Sequence, residues 1–271
     1  MKFLRFLDKE NNLKTGYLDK NTVYELKEDI LNYFNVDFNN LEKDIVNSYS
    51  INDIKIINPV SPSKIVCIGL NYKDHAKELN MELPDTPKLF IKPSTTVIGP
   101  ENNIIKPKMS DEIDYEGELA IVIGKTCKDI NIEESKDYIF GYTIMNDVTA
   151  RDIQRRDVQW TRGKSFDTFA PIGPCIETEM DPTNQKIKTT IIKEDKNNKE
   201  EKEEIKQDSN TKNMVFSPYE LVSFISQVMT LNPGDVIATG TPPGVGQIKV
   251  GEKVTVEIED IGILSNTLIN L

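Results

Sequence analysis

Histidine is nearly missing from this chain: there is one, His75, in 271 residues. Its isolation excludes every site that needs two, including the HExxH zinc hydrolases and the two-histidine facial iron sites. Arginine is almost as scarce, and 33 basic residues are outnumbered by 44 acids to leave a net charge of -11. That surplus argues against nucleic acid or an anionic membrane surface as a partner. No apolar run approaches the ~20 residues that cross a bilayer, and MKFLRFLDKE lacks a signal-peptide core, so a cytoplasmic protein is expected. The three cysteines, Cys67, Cys127 and Cys175, lie far apart in apolar settings, which suits reduced core thiols better than disulfides or a zinc site. GxSxG, P-loop and GxGxxG motifs are absent. The search narrows to oxygen-ligand chemistry.

What is present begins with SDEIDYEGELAIVIGK, Ser110 to Lys125. In an extended strand Asp114, Glu116 and Glu118 share one face. The apolar run Leu119 to Ile123 reads as a central strand, so the acids at its mouth are not a solvated edge. A carboxylate cluster in that setting needs compensating positive charge, and a divalent cation supplies it. A third ligand is expected from Asp147, which follows the apolar strand Tyr138 to Met145; capping of a helix starting at Val148 is the plainer alternative. Glu116, Glu118 and Asp147 together offer the hard oxygens that suit Mg²⁺ or Mn²⁺.

His75 and Glu78, in LNYKDHAKELN, are three apart and would share a helix face, where the acid can orient the imidazole. An exposed helix with an idle histidine is the bland reading. Four arginines, Arg151, Arg155, Arg156 and Arg162, fall within twelve positions. Guanidinium grips carboxylates bidentately, so the cluster suggests an anionic substrate, with surface salt bridges accounting for at least two of the four. Arg151 and Gln154 are nearest Asp147 and are assigned to the site. Lys164, in the polar loop Thr161 to Asp167, would stabilise a developing oxyanion. The glycine-rich loop Gly240 to Gly246 would hold a substrate carboxylate, with Thr241 as hydroxyl donor.

Residues 1–58 read as a small α+β domain: a three-stranded meander at Lys2 to Leu7, Thr15 to Leu18 and Thr22 to Leu26, then a helix from Phe38 to about Asn47 capped by Asp37. The Pro-rich 58–63 segment is a connector, and residues 62–271 form the second domain. Within it, 193–207 is a charge run expected at the tip of a long hairpin. Ser217-Pro218-Tyr219-Glu220 is a capping-box helix start.

In order, CIGLNYKDHAKE, LFIKPSTTVIGP, DYEGELAIVIG, IMNDVTARDIQ, GKSFDTFAPIGP, QDSNT and VIATGTPPGVG span some 200 residues and resemble the fumarylacetoacetate hydrolase family. The resemblance implies a mixed-β (β-rich α+β) sandwich or roll with short helices, usually a homodimer, with Mg²⁺ or Mn²⁺ in the site. It places Glu116, Glu118 and Asp147 as metal ligands and His75 with Glu78 as a catalytic dyad on a short lid helix. Lys164, Gln154, Arg151, Gly240 and Thr241 fall at substrate positions. Leu70 departs from the arginine that some acylpyruvate hydrolases carry, and the charged run is longer than usual.

The expected activity is metal-dependent carbon-carbon cleavage of short 2-oxo or β-keto (di)acids, as an acylpyruvate-type hydrolase or an oxaloacetate-type decarboxylase. One alternative is an isomerase or tautomerase of 2-hydroxydienoates or enol-oxaloacetate on the same site. A non-catalytic metal- or partner-binding protein is the alternative of another class.

Overall fold

The strand Gly117–Ile123 has no polar alternation because both its faces are covered. Leu119, Ile121 and Ile123 enter one core, while Ala120 and Val122 enter the other. This is the period of two expected of a strand between two packed layers. The structure, a computed structural model, describes residues 1–36, 41–194 and 201–271.

The long sheet runs, in spatial order, Ile45–Ser50, Thr22–Leu26, Leu13–Asp19, Lys2–Leu7, Ala170–Glu177, Ile139–Asn146, Gly117–Ile123, Val236–Ala238, Ile65–Gly69 and Lys88–Lys92. A second sheet, Glu201–Asn210, Lys186–Glu194, Lys253–Ile258, Gly262–Asn270 and Ile104–Lys106, supplies Ile187, Val254, Val256 and Ile258 to the core under Leu119 and Ile121. Short helices at Lys73–Glu78, Arg151–Asp157 and Thr161–Lys164 sit near the acidic strand, and Pro218–Val228 is the longest. The mixed-β architecture with few short helices is the one expected from sequence. No helix among the described residues is long and apolar enough to cross a membrane.

The meander forms as expected, but the connector is not a break in the sheet: Phe3 pairs with Ile176, so the N-terminal strands continue a sheet of the second unit. The expected helix from Phe38 to about Asn47 does not continue past Leu41, which is its one α-helical residue among those described. Asp37 to Asn40 lie outside the described residues, Glu42–Asp44 is a single 3-10 turn, and Ile45–Ser50 is a strand on Thr22–Leu26. A free sheet edge and β-branched Ile45 and Val46 outweigh a helical spacing of three apolar residues. The hairpin is present as Lys186–Glu194 and Glu201–Asn210, and 195–200 of its charged tip lie outside the described residues. The capping box forms: Ser217 accepts from the Glu220 amide and the Glu220 side chain from the Ser217 amide. All three cysteines are free and buried.

Gly244 shows how tightly the hairpin and the glycine-rich loop meet. Its φ is +92°, and a Cβ there would lie 1.9 Å from the Lys206 carbonyl oxygen. Gly244→Ala therefore meets both a left-handed backbone and a main-chain clash, and should lower stability by about 1–3 kcal/mol in urea unfolding.

Candidate metal centre and active site

Strand register assembles the acids. Gly117 pairs with Asn146 and Glu118 with Met145, so the end of Ile139–Asn146 delivers Asp147 beside Glu116, whose carbonyl accepts from the Asp147 amide at 2.8 Å. One carboxylate oxygen from each of Glu116, Glu118 and Asp147 lies within 4.8 Å of the others, and all three residues are buried. On the opposite side Ala120 pairs with Ala238, which brings the Gly240 amide to 2.8 Å from a Glu118 oxygen.

The three acids are not equivalent. Glu116 accepts from Lys164 Nζ at 2.9 Å and from Arg151 Nη2. Burial works to raise its pKa, but Lys164 and Arg151 outweigh it and hold the carboxyl at about 2. Asp147 accepts from Lys164 Nζ at 2.7 Å and, on its other oxygen, from the buried Lys92. Glu118 is 1 % exposed and has no ion-pair partner among the described residues. Its pKa is pushed well up by burial, then by the Asp147 and Glu116 charges. Burial opposes the charge of Lys164, yet Asp147 and Glu116 raise its pKa and keep it a cation.

A pocket of about 170 Å³ opens over this cluster, and His75, Glu116, Arg151, Gln154, Lys164 and Thr241 line it. The structure thus gathers the sequence-chosen residues in one place. His75 Nδ1 is 2.9 Å from Glu78 Oε2 on the helix Lys73–Glu78, and the imidazole side chain is 12 % exposed. An apolar wall of Leu70, Leu79, Met81, Phe90 and Trp160 faces the charged one.

Several placements differ from expectation. Asp114 does not join the acid cluster: it lies in the short sheet strand Ile113–Tyr115 and accepts from Arg151 Nε at 2.7 Å. Arg151 is thereby held by two protein carboxylates, with Gln154 Oε1 accepting from its Nη1 at 2.6 Å. Arg155 and Arg162 pair with Glu112 and Asp157, and Arg156 lies 3.9 Å from Asp157; these are the surface salt bridges expected for at least two of the four arginines. The supposed loop 161–167 begins as a helical turn, Thr161–Lys164, in which Lys164 is 2 % exposed. Gly163 permits this, since a Cβ there would touch the Ala150 carbonyl and Gln154. Thr149–Ala150 is a strand, the helix begins at Arg151, and it has no side-chain cap, so Asp147 is not its N-cap. The glycine-loop amides serve the protein's own acids: Gly240 donates to Glu118 and Gly244 to Glu78 at 3.1 Å. Thr241 Oγ1 donates to the Gly117 carbonyl at 2.9 Å and accepts from Gln207 Nε2 at 2.8 Å.

Three residues of the site escaped the sequence reading. Lys92 is wholly buried at the end of a strand that reads as an ordinary KLFIK; a lysine facing inward just before Pro93 was the available signal. Gln207, also wholly buried, accepts from the Gly117 amide at 3.0 Å and braces Thr241. Asn146 Oδ1 accepts from the Glu116 amide at 2.9 Å, fixing the acid's backbone.

The chain is similar to known proteins along most of its length. A family model described as fumarylacetoacetate (FAA) hydrolase C-terminal matches residues 64–269. The chain is 42% identical over 228 residues to the mitochondrial oxaloacetate tautomerase Fahd2a of Rattus norvegicus, covering 80% of this chain and 70% of that one. Among solved structures, the 2-hydroxyhepta-2,4-diene-1,7-dioate isomerase of Mycobacterium marinum superposes with a TM-score of 0.85 at 36% identity, covering 100% and 98% of the two chains. The maleylpyruvate hydrolase of Sphingobium sp. SYK-6, a complex with manganese(II) and pyruvate, gives 0.80 at 27% identity over 100% and 99%.

Proposed function

The chain belongs to the fumarylacetoacetate hydrolase family of enzymes, and from that premise we propose that it acts with Mg²⁺ or Mn²⁺ on short 2-oxo acids, cleaving the carbon-carbon bond beside the carbonyl. The observation that carries this reading is Glu118, a buried carboxylate with no ion-pair partner among the described residues, facing two more carboxylates. Charge bookkeeping agrees. Asp114, Glu116, Glu118 and Asp147 face Lys92, Lys164 and Arg151, one negative charge too many; a divalent cation turns the surplus to one positive charge, which a single substrate carboxylate cancels. The donor set is all oxygen, which suits Mg²⁺ or Mn²⁺.

When bound, such an ion polarises a 2-oxo carbonyl and lowers the energy of the adjoining enolate. The chain's own residues do the rest. His75, oriented by Glu78, takes a proton from water or from the carbon next to the carbonyl. Lys164 and the amide of Gln154 face the same pocket and are placed to stabilise charge developing on a substrate oxygen. The wall of Leu70, Phe90 and Trp160 limits water and receives the apolar part of a short acid.

A tautomerase is the second reading, favoured by the 42% identity to an oxaloacetate tautomerase. It needs the same base and no attacking water. Incubation of the Mg²⁺- or Mn²⁺-loaded protein with oxaloacetate and acylpyruvates separates the two: cleavage releases pyruvate, measured with lactate dehydrogenase, whereas tautomerisation removes the enol absorbance without pyruvate. No turnover of any 2-oxo acid with either metal would overturn both.

A further inference from the structure

The helix that carries His75 has little apolar surface to hold it. It is six residues long, and Ala76 is its only buried residue; beyond it Leu79 and Met81 are half exposed. A single short turn of this kind does not persist on helix propensity alone. Its N-terminal side is tied down, with Tyr72 bridged to Met214 and Asn71 bonded to both the amide and the carbonyl of Phe216. The rest of the helix depends on polar contacts.

One contact is Glu78, which accepts from the Gly244 amide while it orients His75. The other is Asp74. Its Oδ2 accepts from Ser209 Oγ at 2.9 Å and from Asn213 Nδ2 at 3.3 Å. Ser209 Oγ in turn accepts from Asn213 at 3.2 Å, and Asp74 Oδ1 accepts from the His75 amide at 3.1 Å. Ser209 belongs to the strand Glu201–Asn210, whose Gln207 already braces Gly117 and Thr241. One strand therefore supports the acidic strand, the glycine-rich loop and the histidine helix, and Asp74 is its link to the last.

We propose that Asp74 is a positioning residue: through Ser209 and Asn213 it latches the helix Lys73–Glu78 so that His75 stays over the pocket. The inference rests on the reading of His75 as the base, but its latch is measurable without turnover. His75 is the sole histidine, so diethyl pyrocarbonate gives one carboethoxyhistidine signal that reports its accessibility.

The parent protein should acylate slowly, its imidazole being mostly covered. Loss of a hydrogen bond to a charged group corresponds to about tenfold in the opening of the helix, so Asp74→Ala should acylate about tenfold faster. Ser209→Ala should move in the same direction, and the double variant should acylate no faster than Asp74→Ala alone. Manganese affinity should be unchanged in all three, and kcat on a turned-over 2-oxo acid should fall more than KM rises. Acylation of Asp74→Ala, or of Ser209→Ala should the former not fold, within twofold of the parent would overturn the latch. Absence of turnover on any 2-oxo acid would leave the acylation result standing and count against the reaction alone.

Discussion

Glu118→Gln is expected to abolish divalent-cation binding and, at the same time, to raise the melting temperature of the metal-free protein. The two effects share one cause. Glu118 is fully enclosed, accepts one hydrogen bond from the Gly240 amide, and otherwise looks onto the carboxylates of Glu116 and Asp147. Without a cation its charge is unfavourable, which is why its pKa rises through burial and those two neighbours. Glutamine keeps the shape and an oxygen for Gly240 while removing the charge.

Relief of a buried, uncompensated charge should stabilise by about 1–3 kcal/mol, and at this chain length each kcal/mol moves the midpoint by about 2–4 °C. The sign of the pH dependence follows. A carboxyl whose folded pKa is raised contributes stability at low pH that is lost as pH rises from its ordinary 4.5 through the folded value. Scanning calorimetry in EDTA should therefore show the parent's advantage at acid pH shrinking toward neutrality, and Glu118→Gln flattening that decline. Manganese should then restore the parent, by about 2.7 kcal/mol at a hundredfold excess over its dissociation constant, and leave the variant unmoved. A variant that still binds manganese as the parent does, or that melts lower in EDTA, would remove Glu118 from the metal centre.

His75→Ala should cost about 10²–10⁴ in the rate of the hydrolytic or proton-transfer step, the usual contribution of a positioned general base. Manganese affinity should stay within a factor of two, because the imidazole lies outside the cluster of acids and, among the described residues, pairs with Glu78. Oxaloacetate decarboxylation is the informative contrast, since electron withdrawal into the carbonyl needs no base and should survive the substitution. Isothermal titration with Mn²⁺ beside the pyruvate assay reads both quantities. Equal loss of metal binding and of all activities would show that His75 supports the centre rather than the chemistry.

Legibility from sequence followed the range of the forces involved. The acidic strand, the strand ending at Asp147, the capping-box helix and the His75–Glu78 spacing were readable because period, caps and i,i+3 proximity are local. Lys92 was not, because a lysine at a strand end looks solvated until Asp147 arrives from 55 residues away. Salt bridges were expected for at least two of the arginines, but their partners were equally hidden: Arg151 finds Asp114 37 residues upstream, and Arg155 finds Glu112 43 upstream. The helix expected near residue 45 failed for the same reason, since the partner strand Thr22–Leu26 decides between helix and strand for a weakly patterned segment.

By itself the sequence determined the candidate oxygen-rich donor set, through its near-total lack of histidine and its acids at the mouth of an apolar strand, and also the family through seven ordered motifs. Only the tertiary structure decided which acid is left without a cation, which lysines neutralise the other two, and which amides and side chains support the histidine helix. The division has a physical origin: strand period and residue chemistry are properties of neighbouring positions, whereas the charge state of a buried carboxylate depends on groups that only the antiparallel register of distant strands brings within a few ångströms.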